Sequence, residues 1–149
     1  MLDKAHPQSV ENVAMRNSCK AVMLALAFLP FTLYANDTPE AWIVSPANGA
    51  TVKSPVQVVF GLRAPWGVAP AGTQVQNTGH HHLLVDVPLP DFAQPIPKDD
   101  KHLHFGGGQT ETTLELAPGK HTLQLLLGDF AHVPHQQPVM SEQITITVE

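Results

Sequence analysis

The chain has 149 residues, with 8 Lys and Arg against 13 Asp and Glu, 9 His and a single Cys. That length accommodates one small core domain beside a leader and leaves no room for two domains. The net charge of −5 lacks the clustered cations that nucleic acid or anionic lipid requires, and a lone thiol forms neither an internal disulfide nor a thiolate cluster.

The first element in chain order is the apolar run from Lys20 to Ala35, preceded by Arg16 and Lys20 and followed by the polar Asn36-Asp37-Thr38. A basic flank, an apolar stretch and a small-residue exit describe a secretory leader. The run is broken by Pro30 and falls short of the ~20 apolar residues that a membrane span needs. A helical signal peptide over residues 1–35, cleaved after Ala35, is therefore expected, with the periplasm as destination; a retained anchor is the alternative reading. Met15 rivals Met1 as the start, and Cys19 lies ahead of the apolar run, where it cannot serve as a lipidated cysteine. Cleavage takes Lys4, Arg16 and Lys20 from the 8 basic residues and Asp3 and Glu11 from the 13 acidic ones, leaving 5 against 11 in residues 36–149. No membrane association is expected of that remainder.

Beyond the leader the sequence reads as short strands. Residues 41–45 are β-rich and end at the turn Pro46-Ala-Asn-Gly49, and residues 56–60 (Val-Gln-Val-Val-Phe) alternate apolar and polar,. Residues 61–79 carry Gly, Pro and Asn without period and are expected to form a long loop,. Trp66 within it is either an exposed binding aromatic or a plug over one end of the core. Residues 80–87 form a strand with His81, Leu83, Val85 and Val87 on one face and His80, His82, Leu84 and Asp86 on the other,. After a Pro-rich break, His102-Leu-His-Phe105 is a short strand bounded by Gly106-Gly-Gly108, which suits a flexible turn better than a phosphate loop because no Lys-Ser/Thr follows,. Residues 110–116 and 121–127 are expected to pair as a hairpin around Ala117-Pro-Gly-Lys120, and Ile144 to Val148 alternates as the last strand,. The fold expected is all-β, an immunoglobulin- or fibronectin-like sandwich of about seven antiparallel strands forming a single domain over residues 36–149.

Eight of the 9 histidines follow the leader. If each strand reverses the last, His80 and His82, His102 and His104, and His132 and His135 converge at one end of the sandwich. A His-x-His pair on a strand places both imidazoles on one face, about 7 Å apart, and imidazole is a ligand for copper, zinc and nickel. These six residues are the candidate metal ligands, with copper favoured over zinc because Met140 lies just beyond and a thioether suits Cu(I). Asp86, Asp99 and Asp129 are candidate oxygen ligands or acceptors for a ring N–H. His81 shares its face with leucine and valine and is expected to be a structural, partly buried residue; His121, beside the Pro-Gly turn, is expected to make ordinary hydrogen bonds.

The segments Thr78-Gly-His-His-His-Leu-Leu-Val-Asp86, His102-Leu-His-Phe-Gly-Gly-Gly-Gln-Thr-Glu111, Pro118 to Asp129, His132-Val-Pro-His135 and Pro138-Val-Met-Ser141 together resemble the bacterial family called domain of unknown function 4399. The resemblance runs from about Ser45 to the end. It implies a small exported domain with these histidine segments as its hallmark, and it implies no activity.

The function expected is that of a periplasmic metal-binding carrier or buffer, with the metal ion and a protein that receives it as partners. One alternative is a metal-independent, immunoglobulin-like binding module. Another is a Cu/Zn metalloenzyme of the superoxide dismutase kind, although the chain lacks that family's cysteine pair and histidine spacing. Serine-hydrolase chemistry is not expected, since no Gly-x-Ser-x-Gly elbow occurs,.

Overall fold

A computed structural model describes residues 40–149; the expected signal peptide lies outside the described residues. Nine strands follow one another: β1 (Ala41–Ser45), β2 (Thr51–Val52), β3 (Val56–Leu62), β4 (Gly67–Val68), β5 (Thr78–Val85), β6 (His102–His104), β7 (Glu111–Leu114), β8 (Gly119–Gly128) and β9 (Ile144–Val148), with no helix among the described residues. One sheet has the order β1-β3-β7; the other has β2-β9-β8-β5-β4, with β6 also paired to β5. This is an all-β sandwich. The two strands beyond the expected seven, β2 and β4, are two-residue parallel additions at β9 and β5.

Period-two alternation builds the core between the sheets. Val56, Val58 and Phe60 of β3 face Leu83 and Val85 of β5, Leu123 and Leu125 of β8, and Ile144, Ile146 and Val148 of β9, joined by Phe105 and Leu114. Each such side chain contributes about 1.5–3 kcal/mol when fully buried. His81 belongs to this inner face as well: it is fully buried, and its ring lies 5.2 Å from that of Phe60.

The second sheet is also covered on its outer face. Leu84 of β5 and Leu126 of β8 pack with Ile96, and Val87, Phe92 and Met140 close over them. Strands covered on both sides lose their alternation and become continuously apolar, which accounts for the run Leu125-Leu126-Leu127. Met140 bridges to Leu126, so the segment after β8 folds back alongside the end of β8 before β9 begins.

Two local expectations are corrected. Residues 110–116 and 121–127 do not form a hairpin, because β7 pairs with β3 while β8 pairs with β5 and β9. The connection crosses from one sheet to the other, and Pro118, with no N–H to donate, interrupts any ladder across the turn. The stretch 61–79 is not irregular throughout: Gly67 and Val68 pair with Thr78 and Gly79, and Trp66 packs with Leu62 against Ala41, Leu127 and Val139. Trp66 is thus a plug.

Candidate metal centre

The outer face of the second sheet carries the histidines. On β5, His80, His82 and Leu84 point away from the core, and the antiparallel register sets His82 opposite His104 and Leu84 opposite His102. Directly opposed residues share a face, so His104 of β6 stands beside His82. On the other flank His80 is opposite Gly128 of β8. The fourth ring comes from the loop after β8, where Asp129 acts as a hub. Its Oδ1 accepts the N–H groups of Ala131 (2.8 Å) and Val133 (2.9 Å), and its backbone carbonyl accepts that of His132 at 3.0 Å. His132 sits in the left-handed region with φ 68°, a conformation uncommon for residues other than glycine, and its carbonyl accepts the Ile96 N–H at 2.8 Å.

These four rings touch one another in every combination. Centroid separations from His80 are 4.8 Å to His82, 5.0 Å to His104 and 4.9 Å to His132. His82 lies 5.2 Å from His104 and 6.0 Å from His132, and His104 lies 4.8 Å from His132. Ring nitrogens of His80, His104 and His132 all fall within 4.8 Å of one another, a geometry that could hold a metal ion. Nε2 of His104 and Nε2 of His132 are 3.1 Å apart. With metal–nitrogen bonds of about 2.0–2.1 Å, two ligands on one ion stand roughly 3.3 Å apart, so this separation needs little adjustment to share an ion.

The electrostatics leave the lone pairs free. Burial first, then the neighbouring His132 and His104, lowers the pKa of His80 to about 4. Burial followed by His80, His104 and His132 lowers that of His82 to about 3. His104 is lowered by burial and by His132. These rings are neutral at pH 7 and do not repel one another as cations. Both nitrogens of His80 and Nδ1 of His82 are buried without a hydrogen-bond partner. An unsatisfied buried polar atom costs about 1–3 kcal/mol, and a cluster of them calls for a compensating ligand.

Two glycines supply the space. A Cβ at Gly128 would lie 2.7 Å from His82 Cε1 and 3.3 Å from the Cα of His132, and one at Gly106 would lie 2.6 Å from His104 Nε2. The Gly106-Gly-Gly108 motif therefore owes its first glycine to the adjacent imidazole. Replacing Gly128 with alanine is expected to displace the His82 ring and the His132 loop, at a cost of about 1–3 kcal/mol. Chemical denaturation of the G128A protein measures that cost.

The remaining candidates lie elsewhere. The described ring contacts join four of the six expected ligands; His102 and His135 are outside that set. His102 shares the outer face, but its Nδ1 donates to Asp99 Oδ1 at 2.9 Å. His135 stacks on Trp66 at 4.5 Å, with Nε2 buried and unpartnered. The three aspartates make their hydrogen bonds to other partners: Asp99 with His102, Asp129 within its own loop, and Asp86 with His121 Nδ1 (2.8 Å), the Thr122 N–H (2.8 Å) and Lys101 (3.2 Å). His121 also donates from Nε2 to the Ala117 carbonyl, the ordinary hydrogen bonding expected of it. Met140 packs in the apolar patch of the same face. The rings gather on the outer face of the sheet, at the end where β5 begins and β6 and β8 finish, and residue alternation aims the strand side chains outward there. Sequence reasoning missed Gly106 and Gly128 as clearance and Asp129 as the residue that shapes the His132 loop; the Asp-x-x-His spacing of an Asx turn was the available signal.

The matching family model is that of a domain of unknown function, DUF4399, over residues 58–149. The chain belongs to the DUF4399 family. The match begins later than Ser45, inside β3, yet it contains every member of the histidine cluster and both clearance glycines. No curated protein and no solved structure matches the DUF4399 chain.

Proposed function

We propose that this DUF4399 protein is a metal-binding carrier or buffer of the periplasm, taking copper in preference to zinc. His80, His104 and His132 are the ligands, and His82 is a fourth imidazole within reach. The observation that carries this reading is the convergence of ring nitrogens of His80, His104 and His132 within 4.8 Å of one another, beside buried nitrogens of His80 and His82 that have no hydrogen-bond partner. Imidazole donors suit copper, zinc and nickel. Export rests on the apolar run ending at Ala35, and delivery to a receiving protein is the corresponding role for an exported carrier.

Titration of the purified protein with copper and zinc against a competing chromophoric chelator tests this. One ion per chain is expected, with affinity lowered at least 100-fold in H104A and unchanged in H102A, whose ring is held by Asp99. Failure of the wild-type protein to bind either metal, or equal losses in both variants, contradicts the assignment.

A further inference from the structure

The donor group carries no negative charge. Among the described residues, the only group with metal-ligand geometry is made of histidines alone, with no carboxylate or thiolate. Asp129, whose charge acts on His80, has its Oδ1 committed to the Ala131 and Val133 N–H groups. Its removal from that position would unmake the loop that presents His132. The floor of the cluster is dry: His80 and His82 are at most 1 % exposed, and their strand neighbour Leu84 lies in an apolar patch with Leu126 and Ile96.

Charge decides what such a site accepts. The cost of moving an ion out of water grows with the square of its charge in the Born description, so a divalent ion loses about four times as much hydration as a monovalent ion of equal size. Neutral imidazoles return dipolar attraction and no net charge. A divalent ion would remain a buried dication with no negatively charged ligand of its own, whereas a monovalent ion leaves one unit to balance.

Building on the proposed metal-binding role, we infer that the His80/His104/His132 cluster is selective for a monovalent d10 cation, Cu(I), over Zn(II) and other divalent ions. Ag(I), which has the same charge and a filled d10 shell and does not change oxidation state, is the experimental probe. His82 is the position at which added charge reverses the preference.

The experiment is a competition between Ag(I) and Zn(II) for the purified wild-type protein, with bound metal counted by native mass spectrometry and affinities set by competing chelators. Ag(I) is expected to bind at one ion per chain at least tenfold more tightly than Zn(II). In H82D, which places a carboxylate beside the rings, the ratio is expected to move at least tenfold toward Zn(II). An Ag(I) advantage below tenfold in the wild-type protein overturns the charge selectivity while leaving metal binding intact. Binding of neither ion overturns both this inference and the function on which it rests. The wild-type comparison stands even if H82D fails to fold.

Discussion

Acidification of the metal-free protein from pH 7 to pH 4.5 is expected to lower its stability by more than about 5 kcal/mol, on the order of the whole stability of a small domain. Burial lowers the pKa of His81 to about 4, and His80 and His82 are lowered to about 4 and about 3, by burial first and by neighbouring rings second. In the unfolded chain the same rings take up protons near their ordinary value of 6.5. The unfolded state therefore binds more protons throughout this interval, and stability falls as pH falls. The contribution is fully present above pH 6.5 and is lost progressively toward the folded-state values, each ring losing about 1.4 kcal/mol for every pH unit crossed in that interval. His121 acts in the opposite sense, since its hydrogen bond to Asp86 and then that to Ala117 raise its pKa; one partly exposed pair is too weak to offset three buried rings. Urea denaturation in the presence of a chelator, followed by circular dichroism at several pH values, measures the slope. A midpoint that does not move between pH 7 and pH 4.5 contradicts the burial of these imidazoles. His81 supplies a control away from the cluster, because both its nitrogens are buried without partners and its ring faces Phe60. H81L is expected to be more stable than wild type at pH 7 by about 1–3 kcal/mol and to show a shallower acid slope.

The sequence displayed what depends on local pattern. The alternation of residues 80–87 and 144–148 identified β5 and β9 and assigned His80 and His82 to one face and His81 to the other. Relations between segments were only partly legible. His104 reaches His82 through pairing of β5 with β6, a register set by tertiary packing across a Pro-rich connection. The spacing His-x-His gave His102 and His104 equal standing, and only Asp99, three residues before His102, distinguished them by capturing one ring. His132 and His135 likewise looked equivalent around Val133-Pro134. The Asp129 turn delivers the first to the rings, while the second meets Trp66, whose role as a plug depends on Ala41, Leu127 and Val139. The hairpin expected around Pro118 failed for a related reason: apolar residues at Leu114 and Leu123 show that two strands face one core, and do not show which sheet each joins.

Binding of the ion is expected to be the largest single stabilisation available to the fold. A ligand that binds only the folded state adds about 4.1 kcal/mol when its free concentration is 1,000 times the dissociation constant. Thermal unfolding with and without Ag(I), monitored by circular dichroism, should show a large upward shift for the loaded protein that a chelator reverses. Of the three proposed ligands His80 is expected to matter most, since it is fully buried and its two nitrogens have no hydrogen-bond partner. H80A is expected to lose at least 1,000-fold in affinity and with it most of the shift. Its metal-free stability should change much less, because removing the ring also removes two unsatisfied atoms while leaving a cavity. An H80A protein that retains the metal-induced shift contradicts the assignment of His80.

The state of each imidazole nitrogen is directly visible in long-range nitrogen–proton correlation spectra of the histidine rings. Recorded on isotope-labelled protein before and after one equivalent of Ag(I), these spectra are predicted to show His80, His104 and His132 each moving one ring nitrogen to the position of a metal-bound imidazole, while His102 and His121 stay where they were. Unchanged cluster resonances, or a metal signature on His102 or His121 in their place, would contradict the central claim.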